Sequence, residues 1–147
     1  TTPQAIVAVK GGKLDGVTTI AELKDAKLGA GVGTTAIDLI TTTVGGTPQV
    51  FNDNAAAVAA LKNGQIDGVV VDLPTAFYLS GVEVENGIIA GQFPLSGSGD
   101  NFGLLLAKGS PLTACVSHAV DALKADGTLD SIAATWLGSD AGAAVLK

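Results

Sequence analysis

Short unbroken apolar runs alternate with helically spaced ones over the first eighty or so positions of the chain. Ala5-Ile-Val-Ala-Val9 is apolar at every position and predicts a strand buried on both faces, with "KGGKLDG" as the turn after it. Thr19 to Lys24 predicts a short helix, because Thr19 can cap it and Glu22 three residues on completes a capping box. Leu28 to Val32 predicts a second strand and Thr34 to about Thr42 a helix, with Ile37 and Ile40 on one side. Gln49 to Phe51 reads as a third, short strand. Asn54 to Lys62 reads as an alanine-rich helix stopped by Asn63-Gly64. Gly68-Val-Val-Val71 is a fourth strand, and Pro74 to Leu79 opens a helix with proline in its first turn. Ile88-Ile89 and Phe102 to Ala107 predict further strands. The tail is helical: Leu112, Cys115, Val116, Ala119, Val120 and Leu123 keep helical spacing, as do Leu129, Ile132, Ala133, Trp136 and Leu137 ahead of Gly138. This order predicts an α/β fold, a three-layer sandwich with a largely parallel central sheet, followed by a C-terminal helical segment.

Composition adds bounds. The 147 residues suit about one domain, and 47% are hydrophobic, enough for a core. Aromatics are only 4%, so Ala, Val, Leu and Ile must fill it. The formal charge of −6 argues against nucleic acid or an anionic membrane as partner. All eight basic residues are lysine; the bidentate clamp that arginine offers a carboxylate has no source in this chain. No apolar stretch is long enough to span a bilayer. The opening "TTPQAIVAV" has no Met and no basic leader, so no signal peptide is expected here and the chain reads as mature or as a piece of a longer one. A single cysteine, Cys115, excludes an internal disulfide and a cysteine-based zinc site.

Candidate chemistry sits at two strand ends. In an open α/β sheet, ligands bind outside the carboxyl ends of the strands. "GAGVGTTAID", residues 29–38, ends a strand in glycines and starts a helix through two threonines. Backbone N–H groups and the dipole at that helix start, with Gly33, Thr34 and Thr35, suit a carboxylate or a phosphate. Thr34 also fits a plain N-cap. The glycine spacing is not a phosphate-binding loop, because the Gly-Lys-Ser/Thr ending is absent. Asp72, directly after Val69-Val-Val71, suits an ammonium, and it equally fits the cap of the helix opened by Pro74. An anion site and a cation site on one rim would take an α-amino acid. Cys115 and His118 lie three apart on a helix but have no third group to orient them, so a packed cysteine and a surface histidine are expected rather than a catalytic pair. With no plausible nucleophile, base or ligand set, no catalytic residue, metal or cofactor is assigned and an enzyme is not expected.

Four stretches in order resemble one family, the extracytoplasmic amino-acid-binding proteins of bacterial ABC importers, with the type II periplasmic binding fold. They are "QAIVAVKGG", "TTIAELKDAKLGAGVGTT", "AAAVAALKNGQIDGVVVDLPTAFYL" and "FGLLLAKGSPL" with the closing "AVDALKADGTLDSIAATWLG". The resemblance implies that residues 4–101 are lobe 2 of such a protein. Residues 102–147 would be a return segment that helps complete lobe 1, most of which has no counterpart here. It implies an amino-acid ligand, with its carboxylate at Thr34 and Thr35 and its ammonium at Asp72. It also implies an ABC permease as partner of the full-length protein and a place outside the cytoplasm. The family's carboxylate-binding arginine comes from lobe 1 and is missing, so weak or no binding is expected of this chain alone. A sensor domain, a dehydratase of the same fold and an isolated lobe fragment remain alternatives. Apolar stripes in 102–147 that would pack on lobe 1 would otherwise face water, and a homodimer through that tail is expected. The uncharged flanks of the site, Gly31 and Val71, imply a ligand side chain that this lobe does not match with a charge.

Overall fold

The computed structural model describes residues 2–95, 101–137 (137 by its backbone alone) and 143–147. They fall into two compact units, one within Thr1–Asp100 together with Ala143–Lys147, the other within Asn101–Gly142. The first unit is built on a five-stranded sheet of β1 (Gln4–Val9), β2 (Leu28–Gly31), β3 (Gln49–Phe51), β4 (Gly68–Asp72) and β5 (Gly87–Gln92), in the order β3-β2-β4-β1-β5. Helices are α1 (Thr35–Leu39), α2 (Asn54–Lys62) and α3 (Leu73–Tyr78), with a 3-10 turn at Ile20–Leu23.

The alternation along β1 and β4 creates two cores. Ala5, Val7, Val69 and Val71 join the side chains of α2 and α3, while Ile6, Ala8 and Val70 join Leu28, Ala30, Ala36 and Ile40. Both faces of the sheet are therefore covered, which gives the expected three layers and explains why these strands read as unbroken apolar runs. Four strands run in one direction. β1 opposes both its neighbours, pairing antiparallel with β4 and with β5, whereas β2 is parallel to β3 and β4. The sheet is thus mixed.

Local chemistry accounts for the helix ends. The Glu22 half of the expected capping box is formed: its carboxylate accepts from the N–H groups of Thr18 and Thr19 at 2.9 and 2.8 Å, and these bonds hold its pKa below the usual value. The threonine-rich end of α1 opens into a π turn, Ile40–Val44. There Thr41 and Thr42 donate to the carbonyls of Ile37 and Asp38, the i−4 bonding that bends helices. α3 runs on in the same way into a π turn, Leu79–Glu83.

The second unit holds α4 (Thr113–Ala125) and α5 (Thr128–Leu137). The strand expected at Phe102 to Ala107 is not formed; those residues have no regular structure. A strand needs a ladder partner, and periodicity alone does not reveal whether one exists. Phe102, Leu104 and Leu105 are exposed, Leu105 by 99%. No described residue of this unit is buried. Trp136, read from its spacing as core, is 70% exposed, and Cys115, expected to pack, is exposed as well. Gly138, the expected helix stop, lies outside the described residues.

The last five residues also depart from expectation. Ala143–Lys147 does not follow α4 and α5 into the second unit. Val145 bridges Gln92 in parallel, the Gln92 carboxamide donates to the Ala143 carbonyl at 2.8 Å, and Leu146 is buried against Gly91. The expected single return segment 102–147 is therefore divided, because the free edge of β5 offers unpaired backbone groups that this tail satisfies. Leu146→Ala should lower the unfolding free energy of the first unit by about 2–4 kcal/mol in urea titrations, the range for truncating a buried leucine. A change too small to resolve would show that the tail is not part of that core.

Candidate functional site

β2 and β4 are adjacent and parallel, with Gly29 opposite Val69, so their carboxyl ends emerge at one edge of the sheet. The turn 31–35 leaves β2 there, and Asp72 ends β4 there. The structure therefore brings Gly33, Thr34, Thr35 and Asp72 to a common rim, on strands about 4.8 Å apart.

Gly33 has φ of +73°, a conformation that glycine adopts without strain. It lets the chain reverse so that Thr34, in extended backbone, takes the N-cap position of α1. The Thr34 side chain does not cap. Its hydroxyl donates back to the Gly31 carbonyl at 2.8 Å and accepts nothing from the first turn of the helix. Thr35, the first residue of α1, accepts at its hydroxyl from the carboxamide of Gln4 at 2.8 Å. Gly33, Thr34 and Thr35 are all exposed.

Asp72 is half-buried and does cap. Its Oδ2 accepts from the Thr75 N–H at 3.0 Å and its Oδ1 from the Thr75 hydroxyl at 2.8 Å. A carboxylate has room for about four acceptor bonds, so one side chain can serve as cap and also receive an ammonium. The cap and ligand readings of Asp72 are compatible.

Two more groups reach this edge. Asp53 lies just past the end of β3, the outer neighbour of β2, and caps α2 by accepting from the Ala56 N–H at 2.8 Å. The same carboxyl-end rule that singled out Asp72 would have found it. Gln4 is the other. It starts β1, and a rule about carboxyl ends points away from it; only the antiparallel direction of β1 brings it to the rim, opposite Asp72. A separate groove of about 760 Å³ lies near the other end of β1, lined in part by Val9, Lys62, Ser80 and Glu85, and shares none of these residues.

Among the described residues no group of three His, Cys, Asp or Glu side chains could hold a metal, and no helix is long and apolar enough to cross a membrane. His118 and Cys115 are both exposed on α4.

No protein-family model matches the chain. The L-cystine-binding protein TcyJ of Escherichia coli K12 is 28% identical over 134 residues, 90% of this chain and 49% of that protein. The chain thus spans about half the length of the curated relatives it matches. An ancestral arginine-binding protein bound to glutamine is 29% identical, with a TM-score of 0.64 over 94% of this chain and 60% of that one. The same kind of protein bound to arginine is 30% identical, with a TM-score of 0.63 over 93% and 61%. The ancestral amino acid-binding protein AncCDT-1, a precursor of cyclohexadienyl dehydratase, shares the fold with a TM-score of 0.64 over 92% of this chain and 56% of its own, at 24% identity.

The cap at Asp72 has a measurable consequence. Asp72→Ala should cost about 1 kcal/mol of stability, within a range of about 0.5–2, by removing both acceptor bonds to Thr75; Asp72→Asn should cost less. Urea denaturation of the two variants checks this, and an alanine variant as stable as the parent would deny the cap. With an α/β sheet covered on both faces and relatives that are named binding proteins rather than enzymes, the chain is similar in sequence and in fold to part of the amino-acid-binding proteins of the type II periplasmic binding fold.

Proposed function

We propose that the chain is the solute-binding component of an amino-acid ABC importer and carries one half of the ligand clamp. The observation that carries the reading is the pairing of opposite polarities on one rim. The Gly33-Thr34-Thr35 turn offers backbone and hydroxyl donors to a carboxylate, and Asp72 on the adjacent strand end offers acceptors to an ammonium. The names of the relatives support it: they bind cystine, arginine or glutamine, each an α-amino acid. Residues 4–101 act as lobe 2 and the tail as part of the segment that meets lobe 1, apart from Ala143–Lys147, which stays with the first unit. The protein works outside the cytoplasm and delivers its ligand to a membrane permease, without chemical change to the ligand.

The clamp is incomplete without an arginine, and the chain has none. Two neutral hydroxyls and a helix start contribute less to a carboxylate than a bidentate guanidinium does. Calorimetry of the chain against the standard amino acids should therefore show affinity weaker than micromolar. Micromolar binding would overturn the half-clamp reading.

The second unit also calls for a partner. Leu112, Ile132 and Trp136 are each more than half exposed, and Val116, Val120 and Leu129 are only partly covered. Larger aliphatic side chains gain about 1.5–3 kcal/mol each on burial. A second copy of the chain, docked through 102–137, covers this face. Light scattering at high micromolar concentration should give a dimer mass. A monomer mass together with Trp136 fluorescence typical of a buried ring would overturn it.

A further inference from the structure

One side chain ties the two halves of the rim together. Gln4 opens β1 and faces Asp72 across the β1–β4 ladder, so both residues project from the same face of the sheet. Its own backbone is held in turn: the Gln4 carbonyl accepts from the Phe93 N–H at 2.8 Å, and the Pro3 carbonyl beside it accepts from the Leu73 N–H at 2.9 Å. Phe93 and Leu73 are buried. From this anchored position the Gln4 carboxamide donates through Nε2 to the Thr35 hydroxyl at 2.8 Å, a contact between residues 31 apart in sequence. Gln4 therefore lies beside the residue that would receive an ammonium, on the next strand of the sheet, and its carboxamide is bonded to the turn that would receive a carboxylate.

We propose that Gln4 is a positioning residue of the amino-acid site. It acts through Thr35, and it does so as a neutral donor. This rests on the amino-acid reading given above. The identity of the side chain matters because of hydrogen-bond direction. Gln4 presents an N–H, so the Thr35 oxygen accepts. A glutamate in its place has the same shape but, when ionised, can only accept. The Thr35 hydroxyl must then turn its proton to the glutamate, and a negative charge lies beside the place meant for the ligand's carboxylate. When protonated, the glutamate can donate an O–H to Thr35 and restores the original arrangement.

The test is an NMR titration of the whole chain with L-glutamine and with L-glutaminamide, which lacks the carboxylate, following the amide signals of Gly33, Thr34 and Thr35. Dispersion of the amide spectrum shows that each variant is folded. For Gln4→Glu at pH 6.5, affinity for glutamine should fall at least about tenfold relative to wild type. At pH 4, near the ordinary glutamate pKa of about 4.3, the deficit should shrink to less than about threefold. Glutaminamide, whose ammonium would lie near Asp72 and so near the new carboxylate, should be held by Gln4→Glu no less tightly than by wild type at either pH. Gln4→Met, which keeps the length and loses the donor, should weaken glutamine binding without that pH dependence. A Gln4→Glu deficit that is the same at pH 6.5 and pH 4, or that is as large for glutaminamide, would reduce Gln4 to a structural residue and overturn the proposal. So would variants that bind glutamine as wild type does. The ligands are carried to the high millimolar range, where the weak affinity expected of a half clamp still moves these signals; if wild type shows no shift with either probe there, the amino-acid reading falls, and this inference falls with it.

Discussion

β1 enters the sheet against the direction of the other four strands, and the arrangement of the molecule follows from that pairing. Its four central residues are buried on both faces, with Ala5, Ile6 and Val7 at 0% exposure. It lies between β4 and β5, so it ties the parallel half of the sheet to its edge. Because it runs backward, its amino end meets the carboxyl ends of β2 and β4. That reversal places Gln4 opposite Asp72 and within reach of Thr35. A β1 parallel to its neighbours would carry Gln4 to the far edge and leave the rim with β2 and β4 alone.

The rim is built from helix starts that satisfy their N–H groups in two different ways. A helix start has N–H groups without helical partners, and a protein either caps them or offers them to a ligand. α3 and α2 are capped by Asp72 and Asp53, each accepting from the N–H three residues on. α1 is not capped in this way, since the Thr34 hydroxyl turns back to Gly31. The polarity of the rim follows: acidic side chains at two helix starts, hydroxyls and donors at the third.

The two units differ in how they meet water. The first closes two apolar layers over a sheet, and even its free β5 edge is covered by Ala143–Lys147. The second has regular helices with apolar stripes yet no buried residue among those described. Helical spacing makes a stripe; a second surface is needed to make a core.

Much of this was legible in the chain itself. Unbroken apolar runs marked β1, β2 and β4, and the glycine before Thr34 marked the turn, because a buried strand and a left-handed turn leave few choices of residue. The placement of Asp72 and the Thr34-Thr35 pair at strand ends is legible in the sequence, and four ordered stretches point to the fold. The strand expected at 102–107 did not form, and the return segment expected at 102–147 was split, since both depend on which edge a segment finds to pair with. The placement of Gln4 at the rim is not legible in the sequence for the same reason. Its part depends on strand direction and on a contact 31 residues away. Local sequence determined which segments become strands, helices and turns, through backbone preference and burial pattern. Only the tertiary structure decided which strand ends share a rim, which edge the last residues cover and which apolar faces stay open, because those outcomes rest on pairing between segments far apart in the chain.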